Sequence, residues 1–298
     1  MQIRQLRHFL AAVETGSMTL ASAAQNITQP TLSRSIHTLE EELGVDLFER
    51  GHRGVLPTRY GELLAEHARS IIHGVDQAIE DVGAMRAGGL GHVRLGIGST
   101  ATDPRIAQAC AQMAVADENI TLSLDYDVPE TQFARLRRGE LDAIIDTLRV
   151  DLDSGDLNFR PLTRLDMVLV ARRGHPILDL ARKSGPIAAR DLAHWPWAIF
   201  NQPNAEAFYR GLMGLAEEEH NIRVRSSSPA MLRQLLLNAD LVGLMDRTEI
   251  ADCLADGRLQ EIATDMRRVE ATLCVVTRRR TYMSGALRVV IQRLHDAL

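Results

Sequence analysis

Thr28, Gln29, Pro30, Thr31, Ser33, Arg34 and His37 bring together side chains that can read the edges of base pairs. Arg takes guanine through two parallel hydrogen bonds, Gln takes adenine the same way, and Thr or a Pro ring can touch a thymine methyl. Their spacing gives them a common face. Leu32, Ile36, Leu39 and Leu43 recur at helical steps on the opposite side, Pro30 falls in a first turn where its missing N–H costs nothing, and Gly44 ends the run. Thr28 stands where a cap belongs. A solvated helix face also looks like this. What favours recognition is the company of Arg50, His52 and Arg53 on a short extended hairpin around residues 51–54, placed to hold phosphates.

A second constellation lies at strand ends. Gly96, Gly98 and Ala101 spell G-x-G-x-x-A after the apolar run VRLGI, the outline of a dinucleotide turn. Asp125 and Asp127, however, stand beyond the offset of about 20 residues usual for a ribose contact, and no hydride-transfer partner accompanies them. The same turn offers backbone N–H groups and the hydroxyls of Ser99, Thr100 and Thr102 to a small polar ligand. Asn201, Ser226, Ser227 and Asp246 follow later strands and Asp146 ends LDAIID, positions where such sheets bind ligands. Ordinary helix capping, which Ser228 or Asp103 would do, is the alternative for each. Asp146 and Asp246 disfavour a multiply charged anion unless Arg149 or Arg247 offsets them, which leaves a hydroxylated ligand, a monocarboxylate and an aromatic acid open.

Positioning these groups needs two kinds of element. Ile3, Leu6, Phe9, Leu10 and Val13 give a first amphipathic helix that stops at Gly16. Ser17 or Thr19 caps a second, with Leu20, Ala23, Ala24 and Ile27 turned inward, and residues 1–58 then read as a helix-turn-helix with a wing. Over residues 59–87, Leu64, Ala68, Ile71, Val75, Ala78, Val82 and Met85 step by four and three. That heptad seam predicts pairing with a second copy, the alternative being a helix laid on its own domain. The glycines of residues 88–91 read as a hinge. Residues 92–298 alternate β-rich runs with helical ones, which predicts a mostly parallel α/β sheet in two lobes. One lobe takes residues 92–161 and 268–298, the other 162–267, with 151–164 interrupting the alternation. The expected fold class is therefore α+β overall: winged helix-turn-helix, long linker helix, two-lobed α/β domain.

Composition removes other functions. The 298 residues are about two domains' worth, and the longest apolar runs fall far short of the roughly 20 residues of a membrane span. No secretory signal pattern opens the chain, so a cytoplasmic protein is expected, with no membrane partner. Cys110, Cys253 and Cys274 are scattered and read as buried thiols, so no metal or cofactor is expected. Lys183 is the sole lysine, and no G-x-S-x-G, H-E-x-x-H or phosphate-loop motif occurs; the chain does not read as an enzyme. Net charge is −5, and residues 1–60 hold six arginines against six acids. Charge must then be arranged: Arg34 and the wing toward DNA, Glu40, Glu41 and Glu42 away, with pairing of copies supplementing weak binding.

From Gln5 onward, QLRHFLAAVETGSMTLASAAQNITQPTLSRSIHTLEEELGVDLFERGHRGVLPT resembles the amino-terminal domain of LysR-type transcriptional regulators over its full length. The blocks FLAAVETGS, ITQPTLSRSI, LEEELGVDLFER and LPT stand in the family's order and spacing; beyond them the likeness rests on length and β/α lobes. The resemblance implies a dimerising linker helix and an effector domain of the periplasmic-binding-protein type, with the effector between the lobes at the turn around Ser99. It further implies double-stranded operator DNA, a small-molecule effector and a homodimer or homotetramer as partners, with RNA polymerase added for an activator. Some members sense peroxide through a cysteine pair in the second lobe; residues 199–211 hold no cysteine here, so redox sensing is not expected.

Overall fold

Three short helices open the chain: α1 (Ile3–Thr15), α2 (Met18–Ala24) and α3 (Gln29–Leu43). The computed structural model describes the chain apart from residues 52–53, 87–88, 90, 99–100, 102, 117–118, 149–154, 202–204, 215–220, 280–281 and the side chain of Arg50. Leu6, Phe9, Leu32, Ile36 and Leu39 form the centre of the first core, each worth about 1.5–3 kcal/mol when fully buried. Gly44 closes α3 in the left-handed region, at φ 69°. An antiparallel hairpin of β1 (Phe48–Gly51) and β2 (Gly54–Pro57) follows, tied back where the Val55 amide donates to the Gly16 carbonyl at 3.0 Å.

Ser17 caps α2, its hydroxyl accepting from the Leu20 amide, but the inward face differs from expectation. Ala21 and Ser22 are buried, whereas Leu20, Ala23 and Ala24 are exposed. In a seven-residue helix with apolar residues at 18, 20, 21, 23 and 24, several phases fit the pattern, and packing on α1 and α3 chooses among them.

The long helix α4 (Arg59–Arg86) also divides its residues differently. Ala65 and Ala68 are buried in the first core, with Leu64 and Ile72 packed against it. Leu64 and Ala68 are thus turned to their own domain and not to a seam between copies, because α1 lies alongside this half of α4. From Ile71 the row opens: Val75 is half-buried and Ala78 exposed, while Val82 and Met85 are 69% and 79% exposed. Of the expected hinge, residues 88 and 90 lie outside the described residues, and Gly91 already begins β3 (Gly91–Gly98).

The chain continues through α5 (Pro104–Ala116), β4 (Ile120–Asp127), α6 (Pro129–Arg138), β5 (Ala143–Thr147) and β6 (Leu157–Arg172). Next come α7 (Pro176–Ser184), a 3₁₀ turn at Ala189–His194, β7 (Trp197–Phe200), α8 (Ala205–Met213), β8 (Ile222–Ser226), α9 (Pro229–Asn238) and β9 (Gly243–Asp246). Last are α10 (Ala251–Ala255), β10 (Leu259–Glu261), β11 (Val269–Arg278) and α11 (Gly285–Ala297).

Seven strands share a sheet in the order β10-β6-β11-β5-β3-β4, with β9 also on β6. Only β3 with β4 and β3 with β5 pair in parallel there; the other four pairings are antiparallel, so the sheet is mixed where a mostly parallel one was expected. Three of those four involve β6, whose 16 residues include most of the segment expected to interrupt the alternation. It returns along β11 over the whole of Val269–Arg278, with an irregularity between Leu273 and Cys274. Both strands serve both lobes. Leu165 and Leu273 belong to the core under α5 and α11, whereas Leu169 and Val170 belong to the cores around Trp197 and Leu236.

Candidate nucleic-acid interface and ligand cleft

At the start of α3, Thr28 holds the cap position through its backbone, but its side chain does not cap as expected: its hydroxyl meets that of Thr31 at 2.8 Å. Gln29, Pro30, Thr31, Arg34 and His37 are exposed on one side and Ser33 is half-buried. Thr19, read from sequence only as an alternative cap, lies within α2 and donates to Gln29 Oε1 at 3.3 Å, steadying that amide. Arg34 has no acidic partner among the described residues. Of the neighbouring acids, Glu40 accepts from the Leu47 amide at 2.8 Å and Glu42 pairs with the amino terminus, while exposed Glu41 lies 3.4 Å from His37 and so shares that residue's side of the helix. Arg34 is left as the uncompensated cation of the face. Behind it, buried His8 meets Ser35 Oγ at 2.8 Å and pins α3 to α1. A polar residue inside an apolar stripe was the available signal. Arg50 lies in β1; its side chain, like residues His52 and Arg53, is outside the described residues.

At the ligand side, the glycines of G-x-G-x-x-A serve packing. A Cβ on Gly96 would fall 2.1 Å from Gln132 Oε1, and one on Gly98 would fall 2.3 Å from the Asp146 carboxyl carbon. These two glycines of β3 therefore let α6 and Asp146 close on the strand, which removes the dinucleotide reading's main support. Ser99, Thr100 and Thr102 lie outside the described residues, as does Arg149. Asp146 is fully buried, and its carboxylate accepts from the Thr147 amide at 2.7 Å. Buried Asp103 is held by Arg105, whose guanidinium also feels Asp246.

The lobes meet at Tyr126, whose phenol, at the end of β4, donates to the Ser227 carbonyl at 3.4 Å. Burial, then the carboxylates of Glu249 and Asp146, push its pKa up, so the phenol stays a donor. Ser227 and Asn201 are exposed there, and the Asn201 amide donates to the Ser226 carbonyl at 2.9 Å. Two expected contacts are committed elsewhere. Ser226 Oγ binds the backbone of Ser228, which itself caps α9, and Asp246 accepts from the Asp166 amide and the Thr248 hydroxyl. Arg247 is held by Asp166 and Glu261 and does not offset the two buried acids. The remaining sequence signals at this cleft were strand-end positions alone; Tyr126 and Glu249 carried none.

No group of three or more metal-ligating side chains occurs among the described residues. Cys110 and Cys274 are buried thiols with raised pKa, that of Cys274 to about 11, chiefly through burial. No helix among the described residues is long and apolar enough to cross a membrane.

Two family models match the chain. One, described as bacterial regulatory helix-turn-helix protein of the lysR family, covers residues 3–62, and the other, LysR substrate binding domain, covers residues 86–298. Among curated proteins, the SDS degradation transcriptional activation protein of a Pseudomonas species is 33% identical over 86% of this chain and 83% of its own. The transcriptional regulator BenM of Acinetobacter baylyi is 32% identical over 61% of this chain and 59% of its own. Among solved structures, ArgP of Mycobacterium tuberculosis superposes with a TM-score of 0.72 at 18% identity, covering 98% of this chain and 96% of its own. LysG of Corynebacterium glutamicum, solved with bound effector Arg, gives 0.67 at 20% identity, covering 100% and 98%. At such identities the structural likeness speaks for the fold.

Proposed function

Because the chain belongs to the LysR family of bacterial transcriptional regulators, matched in both its helix-turn-helix and its substrate-binding part, we propose a division of labour between the α3 face and the cleft. The protein is a regulator and not an enzyme: it binds DNA, and a small-molecule effector taken by the carboxyl-terminal domain modulates that function. In the proposed reading α3 enters the major groove, where Gln29 and Arg34 read bases while Thr28, Pro30, Thr31, Ser33 and His37 complete the face. Arg50 and Arg53 hold phosphates. The observation that carries this is Arg34, exposed and without an acidic partner among the described residues, while Glu40 and Glu42 are held by the Leu47 amide and the amino terminus.

The effector lies between the lobes, against the turn of Ser99, Thr100 and Thr102 and beside Asp146, Asn201 and Ser227. Ser226 and Asp246 support that wall through their own bonds. The working divisions are residues 1–58, 59–87, 88–91 and 92–298. Copies pair along Ile71, Val75, Ala78, Val82 and Met85 as a dimer or tetramer in the cytoplasm, and RNA polymerase is the further partner if the regulator activates.

Two measurements test this. On a duplex selected from random sequence by the wild-type protein, Arg34→Ala costs about 1–3 kcal/mol and relaxes base preference, whereas Arg53→Ala weakens all duplexes alike. Undiminished specific binding by Arg34→Ala removes α3 as the reader. In a thermal-shift screen of metabolites, a compound at 100 times its Kd adds about 2.7 kcal/mol. Thr100→Val weakens that compound by about 1–3 kcal/mol at unchanged melting temperature. A lowered melting temperature with full response instead makes Thr100 a structural hydroxyl.

A further inference from the structure

Arg94 lies on β3 four residues before Gly98, about 13 Å along the strand from the cleft. Its side chain faces away from that cleft, toward the carboxyl half of α4. Nη1 donates to Gln77 Oε1 and Nη2 to Glu80 Oε2, each at 2.6 Å. Its own amide donates to Asp142 Oδ2 at 2.8 Å, and the same carboxylate lies 3.9 Å from the guanidinium. The side chains of Arg94 and Asp142 are 19% and 10% exposed, so these two charges are shielded from water, while Glu80 keeps one side toward solvent.

One turn earlier on α4, His73 enters the same joint with Nε2 buried and without a hydrogen-bond partner. Across from it, Arg278 Nη1 donates to the Leu136 carbonyl at the end of α6. Gly139, at φ 81°, permits this approach, since a Cβ there would fall 2.8 Å from Arg278 Nη1 and 3.2 Å from His73 Cδ2. A cavity of about 450 Å³ adjoins the joint, between α4 and Asp142, Arg278, Met283 and Leu287.

We infer that Arg94 is the positioning residue that couples the cleft end of β3 to the linker helix, one strand carrying the effector turn at its end and the α4 clasp at its middle. Coupling between two sites needs an element whose state both sites bias, and β3 is held by both. Arginine suits the role because its planar fork grips two acceptors one helical turn apart, which a lysine ammonium does not fix in orientation. The inference rests on the effector reading above, but its test needs no effector.

The cleft end of β3 is disturbed by Gly98→Ala, whose Cβ must displace the Asp146 carboxylate. In the full chain, hydrogen exchange of α4 over residues 73–86 should change at least fivefold on Gly98→Ala when Arg94 is present. The response should fall below twofold in an Arg94→Gln background and be partly restored by Arg94→Lys. Glu80→Gln, on the exposed helix, should reproduce the uncoupling from the other side of the clasp, and Asp146→Asn replaces Gly98→Ala should that chain not fold. Equal responses with and without the clasp, or no response in either, overturn the inference. A merely structural Arg94 would give equal responses at a lower melting temperature. Because no ligand is added, this outcome is independent of whether the thermal-shift screen upholds the cleft as the effector site.

Discussion

The two halves of α4 carry the same four-and-three spacing of apolar residues and meet different fates. In the amino half the pattern is consumed by the DNA-binding domain's own core, where Ala65 and Ala68 are buried. In the carboxyl half Ile71, Val82 and Met85 stand exposed while polar neighbours on the adjoining face grip Arg94. Periodicity therefore specifies that a face is buried, and the neighbours specify by what. The first half makes the helix part of a domain; the second leaves it an exposed apolar row, the proposed pairing surface, and a handle for the regulatory domain.

Charging each half in turn tests that contrast. Ala68→Asp places an unpaired carboxylate in the first core and should cost about 3–5 kcal/mol, read as loss of the DNA-binding domain in chemical unfolding. Should it melt like wild type, the amino half is not core. Ile71→Asp with Val82→Asp should leave the monomer's unfolding within about 0.5 kcal/mol while sedimentation shows the mass of the assembly falling to that of one chain. An undiminished mass sends the pairing surface elsewhere.

A smaller effect sharpens the carboxyl half. Burial, and then Arg94, hold the His73 pKa below 6.5, so the unfolded chain binds the extra proton more readily. The stability tied to neutral His73 is complete above the unfolded value of about 6.5 and drains as pH falls below it. His8 and His175 shift in the same direction, again chiefly by burial, so the comparison lies in the variant. His73→Gln should flatten the fall in melting temperature between pH 7 and pH 5, and an unaltered slope would remove His73 from the acid response. Smallest of all, Asp76→Asn breaks a surface pair with Arg7 that joins α4 to α1, and should shift unfolding by about 0.2–1 kcal/mol.

Legibility in the sequence followed how local the determinant is. The span of α3 was readable because Pro30, the stripe of Leu32, Ile36 and Leu39, and Gly44 all act within one element. The phase of α2 and the allegiance of Ala68 were not, since both depend on which helix arrives alongside. The direction of β6 was hidden further, because Pro161 breaks the alternation of Leu157, Asn158, Phe159 and Arg160, and pairing with β11 carries the strand through the break. At α3 the proposed reading residues were visible by type, but Thr19's hold on Gln29 crosses between helices. At the cleft, sequence named strand ends correctly as positions but not that Ser226 and Asp246 spend their polar atoms on the protein, nor that Tyr126 reaches Ser227.

The long return of β6 along β11 has a mechanical side. Ten consecutive residues of β11 are registered on β6, and between Cys274 paired with Pro161 and Leu273 paired with Thr163 the longer strand carries one residue more, Leu162. A hydrogen-bonded ribbon of two strands is stiff against stretching and in-plane shear but flexes across its thickness, whereas the bulge adds a fixed local bend and twist. That bend lies inside the first lobe, where Leu162 packs against the core of Leu165 and Leu273 and β11 is stiffened by its pairing with β5. Any opening of the two lobes would instead flex the ribbon between its pairing with β5 and its pairing with β9, around residues 165–166 and 270–271, and the lever arms on either side would set how far Tyr126 and Ser227 separate for each degree of bend.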